Sequence, residues 1–196
     1  MRNNKYLFLI TLIFFVLGFI NIHFALLGMI CMMLPMVLLF RNKKKTWCQG
    51  YCPRAGLYTT IGRSIKHSRN TPRFFTKGKM KWIILIYFGI SLSIIVLSTL
   101  GVARGRAPMM DYLRFLIVIP IPGPMPQLFD LTGITPWLTH LSYRFYSMMM
   151  TTTTLGLLMA IFYKPRTWCT VCPINTMSDV YLKGSKNAKK TKPTVS

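Results

Sequence analysis

The sequence predicts an all-α polytopic membrane protein: four transmembrane helices form two hairpins, each followed by a Cys pair and a short amphipathic helix. Three observations carry that prediction. Apolar residues are gathered into blocks at 6–40, 82–100 and 147–163, not dispersed as a soluble core requires. A run of about 20 such residues spans the hydrocarbon layer as a helix, because lipid offers the backbone no other hydrogen-bond partner. The 25 Lys and Arg, set against Asp111, Asp130 and Asp179, lie mostly between and beyond these blocks. Finally, one short string occurs twice, each time directly after an apolar block that ends in positive charge.

In chain order, the first block carries no charge from Tyr6 to Phe40. As a single helix it would be about 52 Å long, against a hydrocarbon core of about 30 Å. It is read as two short spans, 6–20 and 24–40, turning near Gly18, Asn21 and His23; a single tilted span, which would move the N-terminus to the outside, is the alternative. No small-residue cleavage pattern marks it as a signal peptide. A basic loop, 41–81, follows. Within it Leu57, Tyr58, Ile61 and Ile65 recur at helical spacing, which predicts an amphipathic helix on the lipid headgroups. Residues 82–100 form the clearest span, opened by Trp82 at the interface.

The 101–146 segment is rich in proline, which removes donors and fixes φ, so it cannot be a continuous helix. Short interfacial helices are expected at 109–119 and 136–145, and a last span at 147–163. The polar run Thr151–Thr154 in that span can bond its own backbone or line a helix contact. Residues 1–81 thus make a first unit and 82–182 a second. The basic tail, 183–196, is expected to be disordered.

Charge distribution orients the chain. With four spans, 21 of the 25 Lys and Arg fall on one side and 4 on the other. Positive residues favour the cytoplasm, which predicts a multi-pass protein of the cytoplasmic membrane with both termini and both Cys pairs inside. The same charge in a soluble chain would point to nucleic acid. No nucleic-acid module is recognisable here.

The repeated string reads Lys45-Thr46-Trp47-Cys48-Gln49-Gly50-Tyr51-Cys52-Pro53 and Arg166-Thr167-Trp168-Cys169-Thr170-Val171-Cys172-Pro173. In the cytoplasm disulfides are disfavoured, so paired cysteines point to a metal centre or redox chemistry. Cys48, Cys52, Cys169 and Cys172 make a Cys₄ set, the complement of an iron–sulfur cluster or a structural zinc; a thiol redox pair is a third reading. Three features favour iron–sulfur: Pro after each second Cys, Trp shielding each first Cys, and the cations Lys43, Lys44, Lys45, Arg54, Lys164 and Arg166, which would offset a cluster's negative charge.

These two strings resemble the twin Cys-x₃-Cys-Pro motifs of the membrane-bound 4Fe-4S (polyferredoxin-like) family, whose members include the membrane iron–sulfur proteins serving periplasmic nitrate reductase and nitrous oxide reductase. The resemblance covers the two motifs and their place after a transmembrane helix. It implies a 4Fe-4S cluster ligated by Cys48, Cys52, Cys169 and Cys172, and electron transfer involving the membrane. The second motif is one residue shorter than the pattern, and the soluble ferredoxin module of larger members does not occur in these residues.

The two halves repeat the same order and direction, as parallel repeats related by an axis along the membrane normal do. One cluster per chain, with two ligands from each half, is the expected arrangement; a site completed across a homodimer competes. Nothing resembles a catalytic constellation, whether paired carboxylates, a nucleophile with its base or a phosphate-cradling loop. An electron-transfer component is therefore expected rather than a stand-alone enzyme, its redox partner a flavoprotein, a reductase or a quinone. The methionines at 29, 32, 33, 36, 109, 110 and 148–150 admit copper handling as an alternative, since thioethers are soft ligands. A structural membrane partner with a zinc site is another. Cys31 is expected to be an inert packed thiol away from both pairs. His23, His67 and His140 share no spacing, and only His140, near Trp137, is a candidate for quinone contact.

Overall fold

The computed structural model describes residues 6–65, 71–72, 75, 78–110, 112–116, 119–121, 127–128 and 135–190. Apolar sequence free of breakers forms the first helix, α1 (Leu7–Ile20), and it ends at Asn21, whose backbone is extended at φ −153° and ψ 127°. The Asn21 side chain accepts the His23 N–H at 2.9 Å and so caps a 3₁₀ turn, Ile22–Leu26. That turn runs straight into α2 (Leu27–Asn42), which stops where Lys43 adopts a left-handed conformation, φ 48°. The reversal falls where the sequence predicts it.

A π-helical turn, Trp47–Tyr51, carries the first cysteine, and α3 (Pro53–Ser64) begins on the proline that follows the second. The long apolar helix α4 (Lys79–Ala103) comes next, then two short antiparallel strands, β1 (Arg114–Phe115) and β2 (Ile119–Pro120), with Arg114 opposite Pro120. The chain closes with α5 (Pro136–Phe162), the single turn α6 (Thr167–Val171) and α7 (Pro173–Lys190).

The protein is mostly helical, as expected. Three helical stretches, Ile22–Asn42, Lys79–Ala103 and Pro136–Phe162, are long and apolar enough to cross a membrane. Helix α1 has 14 residues, about 21 Å at 1.5 Å per residue, shorter than a hydrocarbon core of about 30 Å. Half of the most apolar window of α5 is buried, against 17% in α4, so α5 is the post around which the others stand. Near its start Tyr143 and Tyr146 pack with Ile22, Ala25, Met110 and Leu113; near its end Ala160 packs with Tyr58, Trp168 and Val171.

Two glycines set how closely the helices meet. A Cβ on Gly18 would fall 2.2 Å from the Tyr146 ring, and one on Gly156 would fall 2.4 Å from the ring of Tyr58. The first contact lets the Tyr146 hydroxyl donate to the Phe15 carbonyl at 3.1 Å. The second draws α3 against α5, which matters for the site below.

Four expectations are corrected. Residues 136–145 and 147–163 are one continuous helix, because the Ser and Thr hydroxyls donate to carbonyls one turn back and leave the backbone helical: Ser142 to Leu138 at 2.9 Å and Thr151 to Ser147 at 2.9 Å. The interfacial helix expected at 109–119 is absent from its described residues: Arg114–Phe115 pairs with Ile119–Pro120, and Leu116 turns at φ 51°. Its backbone finds partners on α5 instead: Arg114 N–H donates to Ser147 Oγ at 3.1 Å and Leu116 N–H to Thr151 Oγ1 at 3.3 Å. The described residues of this segment therefore run alongside the middle of α5, whose hydroxyls satisfy their irregular backbone. Helix α3 is present, but Leu57 and Tyr58 are buried against the bundle rather than turned to a lipid surface. Helix α7 continues to Lys190, through residues 183–190 where disorder is expected; residues 191–196 lie outside the described ones, as do 122–126 of the proline-rich stretch and His67.

Candidate metal centre

Each cysteine pair is built by the same local device. The N–H of the second cysteine bonds the carbonyl of the tryptophan preceding the first: Cys52 to Trp47 at 3.0 Å, and Cys172 to Trp168 at 2.9 Å. In the first copy that bond spans five residues and needs a π turn; in the second it spans four and is an ordinary α turn. The extra residue of the first motif is absorbed there. Beyond the turn, Cys52 and Cys172 are both extended, ψ 111° and 131°. Each then serves as N-cap of the next helix, its carbonyl accepting from Gly56 at 3.2 Å and from Thr176 at 3.0 Å. Proline follows at N1, the one helical position where a missing N–H costs nothing.

The caps aim two helix N-termini, each with its partial positive charge, at the cysteines. The backbone N–H groups of Ile174 and Asn175 favour the Cys172 thiolate, partly opposing the effect of burial. All four motif cysteines line one cavity of about 90 Å³. Trp47 and Trp168 also line it, as the shielding role predicted for them requires.

The two halves are tied across the cavity. Lys45 Nζ donates to Asn175 Oδ1 at 2.9 Å and pairs with Asp179 at 2.5 Å. The Asn175 amide in turn donates to the Cys169 carbonyl at 3.0 Å. Arg54 enters the same cavity, with Nη1 donating to Thr152 Oγ1 at 3.0 Å and Nη2 against the Met149 sulfur. Of the six cations expected to offset a cluster's charge, only Lys45 and Arg54 turn inward; Lys43, Lys44, Lys164 and Arg166 are exposed. Asn175 and Asp179 stand in the second string's continuation, six and ten residues beyond Cys169, a distance at which a helical arm could have been read.

Cys31 is a correction. It lies on the wall of the same cavity, because α2 turns that face toward Met149 and Arg54. His23 and His140 are structural. His23 contacts Asn21 at 2.7 Å and Thr139 at 3.2 Å; the buried His140 ties the Met110 N–H, at 3.3 Å, to Ser98, at 3.2 Å.

The donor set fits a metal cluster. As free thiols, burial pushes Cys48 up to about 11 and Cys169 up to about 12, and it raises Cys172 as well; the neighbouring cysteines add to each shift. Four thiolates coexist here only when bound cations neutralise them. Among the described residues no three of His, Cys, Asp and Glu converge tightly enough for a single metal ion.

Two segments, residues 24–73 and 146–191, match the 4Fe-4S binding domain family. Each contains one cysteine pair, the apolar residues before it and the helix after it. The cofactor is a 4Fe-4S cluster. Both motifs thus lie in segments that match an iron–sulfur family. No curated protein and no solved structure matches the chain.

Proposed function

We propose that the protein is an integral membrane electron-transfer component that holds one 4Fe-4S cluster per chain on Cys48, Cys52, Cys169 and Cys172. The observation that carries this reading is the convergence of both cysteine pairs, one from each half, on a single cavity. A bound cluster supplies reversible one-electron transfer. The chain's own part is to neutralise and shield it: Arg54 and the two helix N-termini provide positive potential, and Trp47 and Trp168 exclude water. A convergence within one chain favours this arrangement over a site split across a homodimer.

Membrane integration rests on three helices of spanning length, with α1 as a shorter fourth. The 21 basic residues that flank the termini and Cys pairs in the sequence count support a cytoplasmic side for both termini and the cluster; of the four counted opposite, Arg114 and Arg144 lie beside α5. Electrons then pass between a cytoplasmic donor such as a flavoprotein and either a membrane quinone or an extracytoplasmic reductase. The resemblance to proteins serving nitrate and nitrous oxide reductases points to the latter.

Anaerobically purified protein should contain about four irons and four sulfides per chain, with a visible absorption that dithionite bleaches. About half that content per chain indicates sharing within a dimer. Cys169→Ser should abolish the native EPR signal, and a cluster that survives it unchanged sinks the ligand assignment. Reporter fusions at each terminus test the topology; an extracytoplasmic reading at both ends inverts it.

A further inference from the structure

A second cavity, of about 190 Å³, lies between α4 and α5; Ile84, Phe88, Ile95 and Leu155 give it apolar walls, and Ser91, Ser147 and Thr151 also line it. Two arginines reach it from different elements, Arg114 from β1 and Arg144 from α5. Each has a buried Nε with no hydrogen-bond partner among the described residues. Arg114 is partly held, stacked 5.1 Å over the Tyr112 ring and donating to its hydroxyl. Arg144 has Arg114 as a charged neighbour, so the pair repels.

Among the described residues the one acidic side chain is engaged elsewhere. The chain contains three acidic residues. Asp179 is engaged with Lys45 at the cysteine cavity, and Asp111 and Asp130 lie outside the described residues. Arg144 stands eight residues into α5 from its first residue, and the β1 backbone is bonded still deeper, at Ser147 and Thr151. Two guanidinium groups at that depth of a helix of spanning length are costly without a counter-charge. A neutral lipophile would fill the apolar walls and leave the charge in place. An anion without an apolar tail would not be held by those walls.

We propose that this cavity binds an acidic lipid: an oxyanion head seated between Arg114 and Arg144, with its hydrocarbon chain against α4 and α5. Guanidinium groups suit carboxylate and phosphate equally, because their planar forks match both. A fatty-acid carboxylate and a phospholipid phosphate are thus the two sources of one chemistry. This inference does not depend on the cluster.

The test uses full-length protein purified in detergent without added lipid. Extraction and negative-ion mass spectrometry should find an acidic lipid at near one per chain. After delipidation, thermal stability should be restored by oleate if the head is a carboxylate, or by phosphatidylglycerol if it is a phosphate; phosphatidylcholine should do nothing. Arg114→Gln and Arg144→Gln should each weaken the rescuing lipid roughly tenfold, the cost of one charge-assisted partner. Arg144→Lys should weaken it less. Far-UV circular dichroism and the size-exclusion profile of each variant report whether it has folded. Three results overturn the proposal: equal rescue by phosphatidylcholine, a neutral quinone as the co-purifying molecule, or a lipid-indifferent protein in which Asp111→Asn with Asp130→Asn causes the stability loss, revealing an internal counter-ion.

Discussion

The two cysteine turns differ by one residue and reach the same end point. Trp47 to Cys52 closes as a π turn, Trp168 to Cys172 as an α turn. In both, the second cysteine leaves the turn extended and caps a helix that starts on proline. What is equivalent between the halves is therefore the backbone frame on either side of the cysteines, the Trp carbonyl before and the helix N-terminus after. The number of residues in between is free to vary so long as the helical turn can widen. A repeat that looks imperfect as a string is closer to perfect as a set of hydrogen bonds.

Shortening the wide turn tests this most severely. Deleting Gly50 makes both motifs Cys-x₂-Cys, but α-helical geometry then rotates Cys48 by about 100° relative to Cys52 and its helix. We expect most of the bound iron to be lost, measured by iron analysis and EPR. Full retention would show that the frame, not the π turn, is sufficient.

Next in size is Gly156→Val, which forces Tyr58 away from α5 and displaces the helix that Cys52 caps. Overpacking of this kind costs about 1–3 kcal/mol. It should appear as a lower thermal midpoint together with a broadened EPR signal. Asn175→Ala removes the link from Lys45 to the Cys169 carbonyl, which only the second copy possesses. A loss of about 1–2 kcal/mol is expected, and faster release of iron to a chelator is its signature. The Lys45–Asp179 pair itself is partly exposed, so Asp179→Asn should cost less, about 1 kcal/mol or below.

The smallest effect is expected from substituting that same glycine rather than deleting it. A Cβ on Gly50 meets nothing within 4 Å, and its φ is not in the left-handed region. Gly50→Ala should leave stability within about 0.5 kcal/mol and the spectrum unchanged. The contrast with deletion separates the length of the turn from its composition.

Local pattern made much of this legible. Uninterrupted apolar runs announce α1, α2 and α4, and Asn21 marks the reversal between the first two because its side chain can cap a tight turn. The four cysteines could be grouped from spacing alone. What stayed hidden depends on partners distant in the chain. Ser147 and Thr151 read as weak points of a span, yet they receive the N–H groups of Arg114 and Leu116 and so fix an irregular segment against α5. Cys31 looked remote because it precedes the first motif by a stretch of helix; the packing of α2 on α5 returns it to the cavity wall. Asn175 and Asp179 carried no signal of their own until Lys45 was seen opposite them.

The placement of the ligands has a consequence for how the protein is made. Two come from a turn early in the chain and two from a turn near residue 170, with the whole of α4 and α5 threaded between them. Neither turn can complete the cavity alone, so with the four cysteines as the proposed ligands a cluster would be loaded only after both halves of the chain have come together. Once loaded, it clips sequence-distant halves and adds its binding free energy to their association. Iron supply would then set how much of the chain reaches its final fold, as well as how much carries electrons.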